Sequence, residues 1–135
     1  MGTPTLRLER VALNLDGSET PDNSGEIIQG RLIASQGPAA YWSRLPLTLM
    51  LDALEERGIP AAISNHAGAF LCNHVFYVAR HQVDQMGLTS LCGFIHVPGM
   101  SAEVTGDRGL PLTQIIEGIE CCLDILRNPD AEIHA

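Results

Sequence analysis

The fold is decided by residues 59–82, which read IPAAISNHAGAFLCNHVFYVARHQ. The first five residues are apolar, as in a short buried strand, and the polar, glycine-bearing turn Ser64–Gly68 follows them. We predict that an amphipathic helix then begins near Leu71 or Cys72 and extends to about Gln82. A strand, a tight turn and a helix in this order are typical of an α/β layer fold.

The rest of the chain repeats this alternation of strands and helices. Residues 8–15 alternate polar and apolar side chains and are predicted to form a strand, and residues 92–97 form another that Pro98 ends. Residues 47–57 carry apolar side chains at helical spacing, and Gly58 ends that helix. Residues 17–37 are rich in Gly, Pro, Asn, Ser and Asp and indicate a long loop.

A last helix is predicted from a stripe of apolar residues near the end of the chain. We expect its buried face to consist of Ile115, Ile116, Ile119, Cys122, Leu123 and Leu126. The prediction is therefore an α/β protein with one domain over residues 1–135, whose residues 128–135 form a flexible tail.

Composition and charge exclude several classes of function. The chain has 135 residues, no Lys and a formal net charge of -8, which opposes binding to nucleic acid or to an anionic membrane. We expect no secretory signal, because residues 1–5 lack a basic start leading into an apolar run. No apolar segment approaches the roughly 20 residues that span a bilayer. The four cysteines lack metal-ligand spacing and are expected to be reduced thiols in a cytoplasm.

Cys72 has the context of a nucleophile, because it stands at the start of a predicted helix. Open N–H groups and the positive end of the helix dipole favour a thiolate there, and the same groups can bind an oxyanion. The competing interpretation is a small, buried, inert cysteine, and position alone leaves the two about equal. Cys92 and Cys122 fit the inert interpretation better.

A thiolate nucleophile requires a base, normally histidine. His96 stands at the carboxyl end of a predicted strand, the edge at which sites assemble in α/β sheets, and it is the best candidate. His66, in the turn before the helix, is second. His74 follows Cys72 by two residues on a helix and is expected to point away from the thiol.

The third member of a triad is a carboxylate that orients the imidazole. Glu9 is the only acid inside the first strand. On the residues alone, a solvent-facing glutamate or one paired with a neighbouring arginine is the stronger interpretation.

Five segments carry a resemblance to a known family. They are LERVALN (8–14), PDN (21–23), GPAAYW (37–42), ISNHAGAFLCNH (63–74) and GFIHVP (93–98). In this order and spacing they resemble the conserved blocks of bacterial pyroglutamyl peptidase I, also called pyrrolidone carboxyl peptidase. The similarity covers nearly the whole chain.

The resemblance implies a three-layer α/β/α hydrolase-like fold and a catalytic triad. Cys72 would be the nucleophile, His96 the general base and Glu9 the residue that orients it. Phe70 and Leu71, by their position just before Cys72, are placed to form one wall of the substrate pocket. The implied activity is removal of an N-terminal pyroglutamyl residue from peptides through an acyl-enzyme, without metal or cofactor. The resemblance also implies a homotetramer.

The chain departs from the family pattern in two ways. The family's N-terminal strand and its aromatic, glycine-rich segment are expected to be absent, and Glu19 stands where the family usually carries an arginine that helps to bind the oxyanion. An alternative function therefore stays open: an inactive peptidase-derived domain that self-associates or binds a partner through an uncovered sheet edge. A thiol protein that uses Cys72 for redox chemistry is a third and weaker alternative, because no resolving cysteine is close in sequence.

Overall fold

The computed structural model describes residues 4–17, 21, 23–27, 29–101 and 109–128 of the 135-residue chain. Within them it contains seven strands and three helices. The strands are β1 (Leu6–Glu9), β2 (Val11–Leu13), β3 (Ala40–Trp42), β4 (Ala61–Ser64), β5 (Phe94–His96), β6 (Gly99–Met100) and β7 (Gly109–Leu110). The helices are α1 (Leu47–Glu56), α2 (Leu71–Gln85) and α3 (Leu112–Arg127). The α/β class predicted from the sequence is confirmed.

The described residues group into two compact units. The first unit contains the described parts of Met1–Leu8, Leu45–Ile63 and Ile95–Ala135. The second contains the described parts of Glu9–Arg44 and Ser64–Phe94. Of the predicted tail, only Asn128 is described, so the prediction for 128–135 lies otherwise outside the described residues.

Most residues of a three-stranded sheet in the order β4-β1-β5 belong to the first unit, while Glu9, Ser64 and Phe94 at the strand ends are counted in the second. β1 and β4 run in the same direction, because the N–H groups of Leu6 and Arg10 bind the carbonyls of Pro60 and Ser64 in step along both segments. Helices α1 and α3 pack together in this unit. Its core is formed by Leu6, Leu8, Met50, Ala53, Leu54, Ile59, Leu110, Ile115, Cys121, Cys122 and Ile125.

Gly118 lets α3 approach β1 closely. A Cβ atom at this position would lie 2.9 Å from Cδ2 of Leu6 and 3.4 Å from Cγ2 of Ile59. Any side chain there would therefore press on the two residues at the centre of the first core. The absence of a side chain is what brings this helix face onto the sheet.

The second unit consists of the β2-β3 hairpin covered by α2. β2 and β3 are antiparallel, with Val11 opposite Trp42 and Leu13 opposite Ala40. The core of this unit contains Ala12, Tyr41, Ala67, Phe76 and Tyr77. Two of these side chains also make polar contacts: the Tyr77 hydroxyl donates to the Pro38 carbonyl at 2.7 Å, and the Tyr41 hydroxyl lies 2.7 Å from Nδ1 of His81.

The predicted elements agree with the structure except at their ends and in the face of α3. The strand predicted over 8–15 divides into β1 and β2, and the strand predicted over 92–97 is limited to β5. α1 ends before Gly58, whose φ of 68° requires a residue without a Cβ atom. In α3 the predicted burial of Ile116 and Leu123 is wrong, because these side chains are 48% and 47% exposed.

Cys121 and Cys122 are both buried in the first core, at 1% and 2% exposure. Burial, followed by the neighbouring Cys121, raises the pKa of the Cys122 thiol from 9.0 to about 11. None of the four cysteines, all of which lie in the described segments, forms a disulfide. Cys122 thus stays protonated in the folded chain at pH values where the unfolded chain has lost the proton.

This difference predicts a loss of stability in alkali. Below pH 9 both states hold the proton, and between pH 9 and about 11 only the folded state does, so the free energy of unfolding falls as the pH rises. A pKa difference of about 2 corresponds to a Cys122 contribution of at most about 3 kcal/mol to this fall. We expect urea denaturation to show a shallower pH dependence for Cys122→Ala than for the natural chain. Parallel curves for the two would contradict the assignment.

Candidate active site

Cys72 is the second residue of α2 and is half-buried. Phe70 is the N-cap residue, and no side chain caps the helix or places an acid in its first turn. The N–H groups of a first turn have no acceptor within the helix, and the helix dipole is positive at this end. Cys72 therefore stands in the first turn of the helix, where the sequence places it.

Asn73, the next residue, fixes this turn to the hairpin. Its side chain is completely buried, and its Oδ1 accepts a hydrogen bond from the Leu13 N–H at 2.8 Å. Its Nδ2 donates to the carbonyls of Leu13 at 2.8 Å and Leu15 at 3.1 Å. One amide thus satisfies three backbone groups of β2 and the residues after it, and it holds the helix start in one orientation.

A second connection lies on the other side of Cys72. Nδ1 of His74 is 2.9 Å from both carboxylate oxygens of Asp16, and the Gly17 N–H donates to the Ala69 carbonyl at 2.7 Å. Residues 13–17 therefore run along residues 69–74 and hold them from both sides of Cys72. This pair is not among the sequence-based predictions, which place His74 only on a side of the helix that points away from the thiol. The available signal is Asn14 and Asp16, two polar residues on either side of Leu15 at the end of a strand.

Phe70 and Leu71 line two pockets in the second unit. A cavity of about 140 Å³ is bounded by these two residues together with Asp16, Gly17, Arg31 and His74. A cavity of about 330 Å³ is bounded by the same two together with Pro21, Asn23 and Ser24. The predicted pocket wall therefore adjoins open space on two sides, immediately before Cys72 in the chain. Glu19 lies outside the described residues.

Glu9 ends β1 and belongs to the second unit, as Cys72 does. Its side chain is completely buried, so the solvent-facing interpretation that the alternating pattern favoured is wrong for this residue. A buried carboxylate is costly unless hydrogen bonds or a positive group stabilise it. Burial at the end of a strand is compatible with the predicted role of orienting an imidazole.

His96 ends β5 and belongs to the first unit. Its Nδ1 lies 3.2 Å from Nη2 of Arg7. A guanidinium has no acceptor, so Nδ1 accepts this hydrogen bond and the proton of the neutral imidazole is on Nε2. To accept a proton from a thiol, His96 must give up this hydrogen bond from Arg7.

The second candidate base, His66, lies in the turn before α2 and is exposed. Its Nδ1 accepts a hydrogen bond from the Gly68 N–H at 3.0 Å, within the same turn. Gly68 has a φ of 86°, which a residue with a side chain rarely adopts. His66 thus shapes the turn that leads into the helix.

Among the described residues, no group of three or more His, Cys, Asp or Glu side chains is arranged to hold a metal ion. None of the three helices in the described part of the chain has both the length and the apolarity to cross a bilayer.

A strand, a turn and a helix opened by a cysteine, in an α/β fold, form the arrangement in which many hydrolases carry their nucleophile. The family model described as pyroglutamyl peptidase matches residues 1–127. The chain belongs to the pyroglutamyl peptidase family, and the resemblance found in its sequence is confirmed.

Individual relatives agree with this assignment. The pyrrolidone-carboxylate peptidase of Bacillus cereus strain 03BB102 is 36% identical over 135 residues, which is 98% of this chain and 63% of that protein. That of Bacillus licheniformis is 44% identical over 121 residues, or 87% of this chain and 56% of that protein. The chain thus spans less than two thirds of the length of these relatives.

Solved structures match in the same way. A pyrrolidone carboxyl peptidase of Pyrococcus furiosus superposes with a TM-score of 0.86 at 32% identity, over 92% of this chain and 63% of its own. Pyroglutamyl peptidase I of Bacillus amyloliquefaciens gives a TM-score of 0.83 at 35% identity, over 90% and 60%.

The amide of Asn73 provides a test of the connection beside Cys72. Asn73→Ala leaves the partly buried N–H of Leu13 without its acceptor and two carbonyls without their donor, so we expect it to destabilise the chain by about 2 kcal/mol. Urea denaturation measures this loss. Asn65→Ala, an exposed asparagine in the preceding turn, serves as the control and should change stability by less than about 0.5 kcal/mol. Equal effects of the two substitutions would contradict the role given to Asn73.

Proposed function

We propose that this chain carries the catalytic residues of a cysteine peptidase that removes the pyroglutamyl residue from the N-terminus of peptides. The observation that carries the proposal is Cys72, half-buried in the first turn of α2 with Phe70 and Leu71 lining pockets beside it, in a member of the pyroglutamyl peptidase family. Cys72 is the nucleophile, His96 the general base and Glu9 the orienting carboxylate.

The reaction proceeds in two steps. The Cys72 thiolate attacks the pyroglutamyl carbonyl carbon, and N–H groups of the first turn of α2 stabilise the oxyanion. The C–N bond then breaks, and the leaving amine takes the proton that His96 has received from the thiol. Water attacks the resulting thioester, His96 takes a proton from it, and the C–S bond breaks to release pyroglutamate and regenerate the thiol. No metal or cofactor is required.

The pocket beside Cys72 suits an uncharged first residue. A pyroglutamyl ring is a neutral lactam, and it is best bound by apolar walls with a few polar groups. Phe70 and Leu71 supply such a wall to both cavities.

Substitution of the three proposed catalytic residues tests the mechanism. Cys72→Ser and His96→Ala should each lower the release of a fluorophore from a pyroglutamyl amide by at least about a thousandfold. Glu9→Gln should cost less, because it leaves the nucleophile and the base in place. Equal losses for all three would make Glu9 a structural residue.

Cys92→Ser is the matched control, since Cys92 is likewise a half-buried cysteine of the second unit. It should retain the activity of the natural chain. Activity that survives Cys72→Ser would overturn the proposal, and so would a natural chain that is folded but releases no fluorophore.

We also propose that two copies of the chain associate with each other. This is the second candidate function, and it would be the function of the chain if it has no catalytic activity. Leu112, Ile116 and Leu123 are 51%, 48% and 47% exposed on α3. Their spacing puts them on one side of the helix, where they form a continuous apolar stripe. A second copy of the chain, offering the same stripe, would remove this apolar surface from water.

Leu123→Glu tests this interface. A carboxylate in the middle of a paired apolar stripe must lose its hydration, so we expect the variant to dissociate to monomers in sedimentation equilibrium. Leu88→Glu, a substitution of an exposed leucine outside α3, should leave the association unchanged. A natural chain that is monomeric at micromolar concentration would refute the proposal.

The four thiols, none of which is in a disulfide, support a reducing compartment. We propose on this basis that the chain works in a reducing compartment, the cytoplasm.

A further inference from the structure

The cavity of about 140 Å³ contains a charged and polar side that the proposed triad does not use. Its six lining residues are Asp16, Gly17, Arg31, Phe70, Leu71 and His74. Phe70 and Leu71 give it an apolar wall, while Asp16, Arg31 and His74 give it polar groups. Cys72 lies between Leu71 and His74 in the chain, so the cavity adjoins the segment that carries the proposed nucleophile.

Asp16 is held firmly in place. Its side chain is only 8% exposed, and its backbone forms a reciprocal pair with Arg31, with hydrogen bonds of 2.8 and 2.9 Å. Nε of Arg31 lies 4.0 Å from Oδ2 of the same carboxylate. A carboxylate so positioned can orient another group with little loss of conformational entropy on binding.

The group that it orients is His74. Both carboxylate oxygens lie 2.9 Å from Nδ1, and because an ionised carboxylate only accepts hydrogen bonds, Nδ1 carries a proton. In the neutral imidazole Nε2 is then the acceptor, on the edge of the ring remote from Asp16. The side chain of His74 is 44% exposed and lines the cavity.

We propose that this cavity is a substrate subsite in which Nε2 of His74, oriented by Asp16, accepts a hydrogen bond from an amide N–H of the bound pyroglutamyl peptide. The inference rests on the proposed function. A pyroglutamyl peptide offers two such donors near the scissile bond, the N–H of the lactam and the N–H of the residue that follows it. The apolar wall of Phe70 and Leu71 packs against the uncharged part of the same substrate.

Two substitutions distinguish the proposed subsite from a purely structural pair. In a structural pair, His74 would do no more than satisfy the buried Asp16 carboxylate. His74→Asn keeps an N–H donor near the position of Nδ1 and removes the acceptor at Nε2. His74→Gln places an amide oxygen near the position of Nε2 and removes the donor to Asp16. If His74 is only structural, the asparagine variant should resemble the natural chain more closely. If His74 binds the substrate, the glutamine variant should keep more of the affinity for the peptide.

Binding is measured with the full 135-residue chain carrying Cys72→Ser, so that turnover does not consume the probe. The probe is pyroglutamyl-alanine amide, and its Kd is obtained by calorimetry. We expect His74→Asn to weaken binding about five- to tenfold, the effect of one lost hydrogen bond, and His74→Gln to weaken it less. Val75→Ala, at the exposed neighbouring residue outside the cavity lining, should bind as tightly as the parent.

Two methylated probes identify the donor. One carries a methyl group on the lactam nitrogen and the other on the alanine nitrogen. The effect of His74→Asn should vanish for the probe that lacks the N–H bound by His74. If the parent and His74→Asn bind one methylated probe equally well, the subsite is supported and the missing N–H is the donor. If His74→Asn still binds both methylated probes more weakly than the parent, the proposed hydrogen bond is wrong.

The outcomes also separate this inference from the function on which it rests. If the Cys72→Ser parent binds the probe and His74→Asn binds it equally well, the subsite is wrong and the peptidase proposal stands. If the folded parent binds none of the three probes, both are wrong.

Discussion

The buried amide of Asn73 is the interaction on which the second unit depends. Burying an amide in an apolar core is unfavourable unless all of its groups are bound, and here the oxygen and the nitrogen are matched by the backbone of Leu13 and Leu15. The backbone of β2 is thereby bound by Asn73 as well as by β3. These hydrogen bonds also fix the position of α2 along β2. Cys72, its immediate neighbour, can then vary little in position relative to residues 13–17.

This arrangement explains why no side chain caps α2. A capping serine or aspartate would bind the N–H groups of the first turn and neutralise part of the positive end of the dipole. In this chain Asn73 and the Asp16–His74 pair stabilise the helix start from the side, which leaves the end of the helix available. The cost of an uncapped helix, about 1 kcal/mol, is offset by hydrogen bonds elsewhere in the turn.

The sequence predicted local structure well and tertiary partners poorly. The start of α2 and the position of Cys72 follow from a strand, a glycine-bearing turn and an amphipathic period, all of which are local. The partnership of Asp16 and His74 joins segments distant in sequence, and no periodicity reveals it. In α3 two adjacent apolar stripes are present, one through Ile115 and Cys122 and one through Ile116 and Leu123. Periodicity cannot choose between them, because the choice depends on the close approach of Gly118 to Leu6.

Glu9 and Asp16, two buried carboxylates of the second unit, show how burial converts an ordinary residue into a candidate functional one. Glu9 is completely buried, although the alternating pattern of its strand favours a solvent-facing side chain, and Asp16 is almost completely buried. Desolvation of an ionised carboxylate is expensive, and it is tolerated where the charge orients an imidazole or stabilises a cation. Asp16 does this visibly, through His74. Glu9 is the more deeply buried of the two and ends the central strand of the sheet β4-β1-β5, the kind of position from which a carboxylate can act on a group that arrives at the sheet edge.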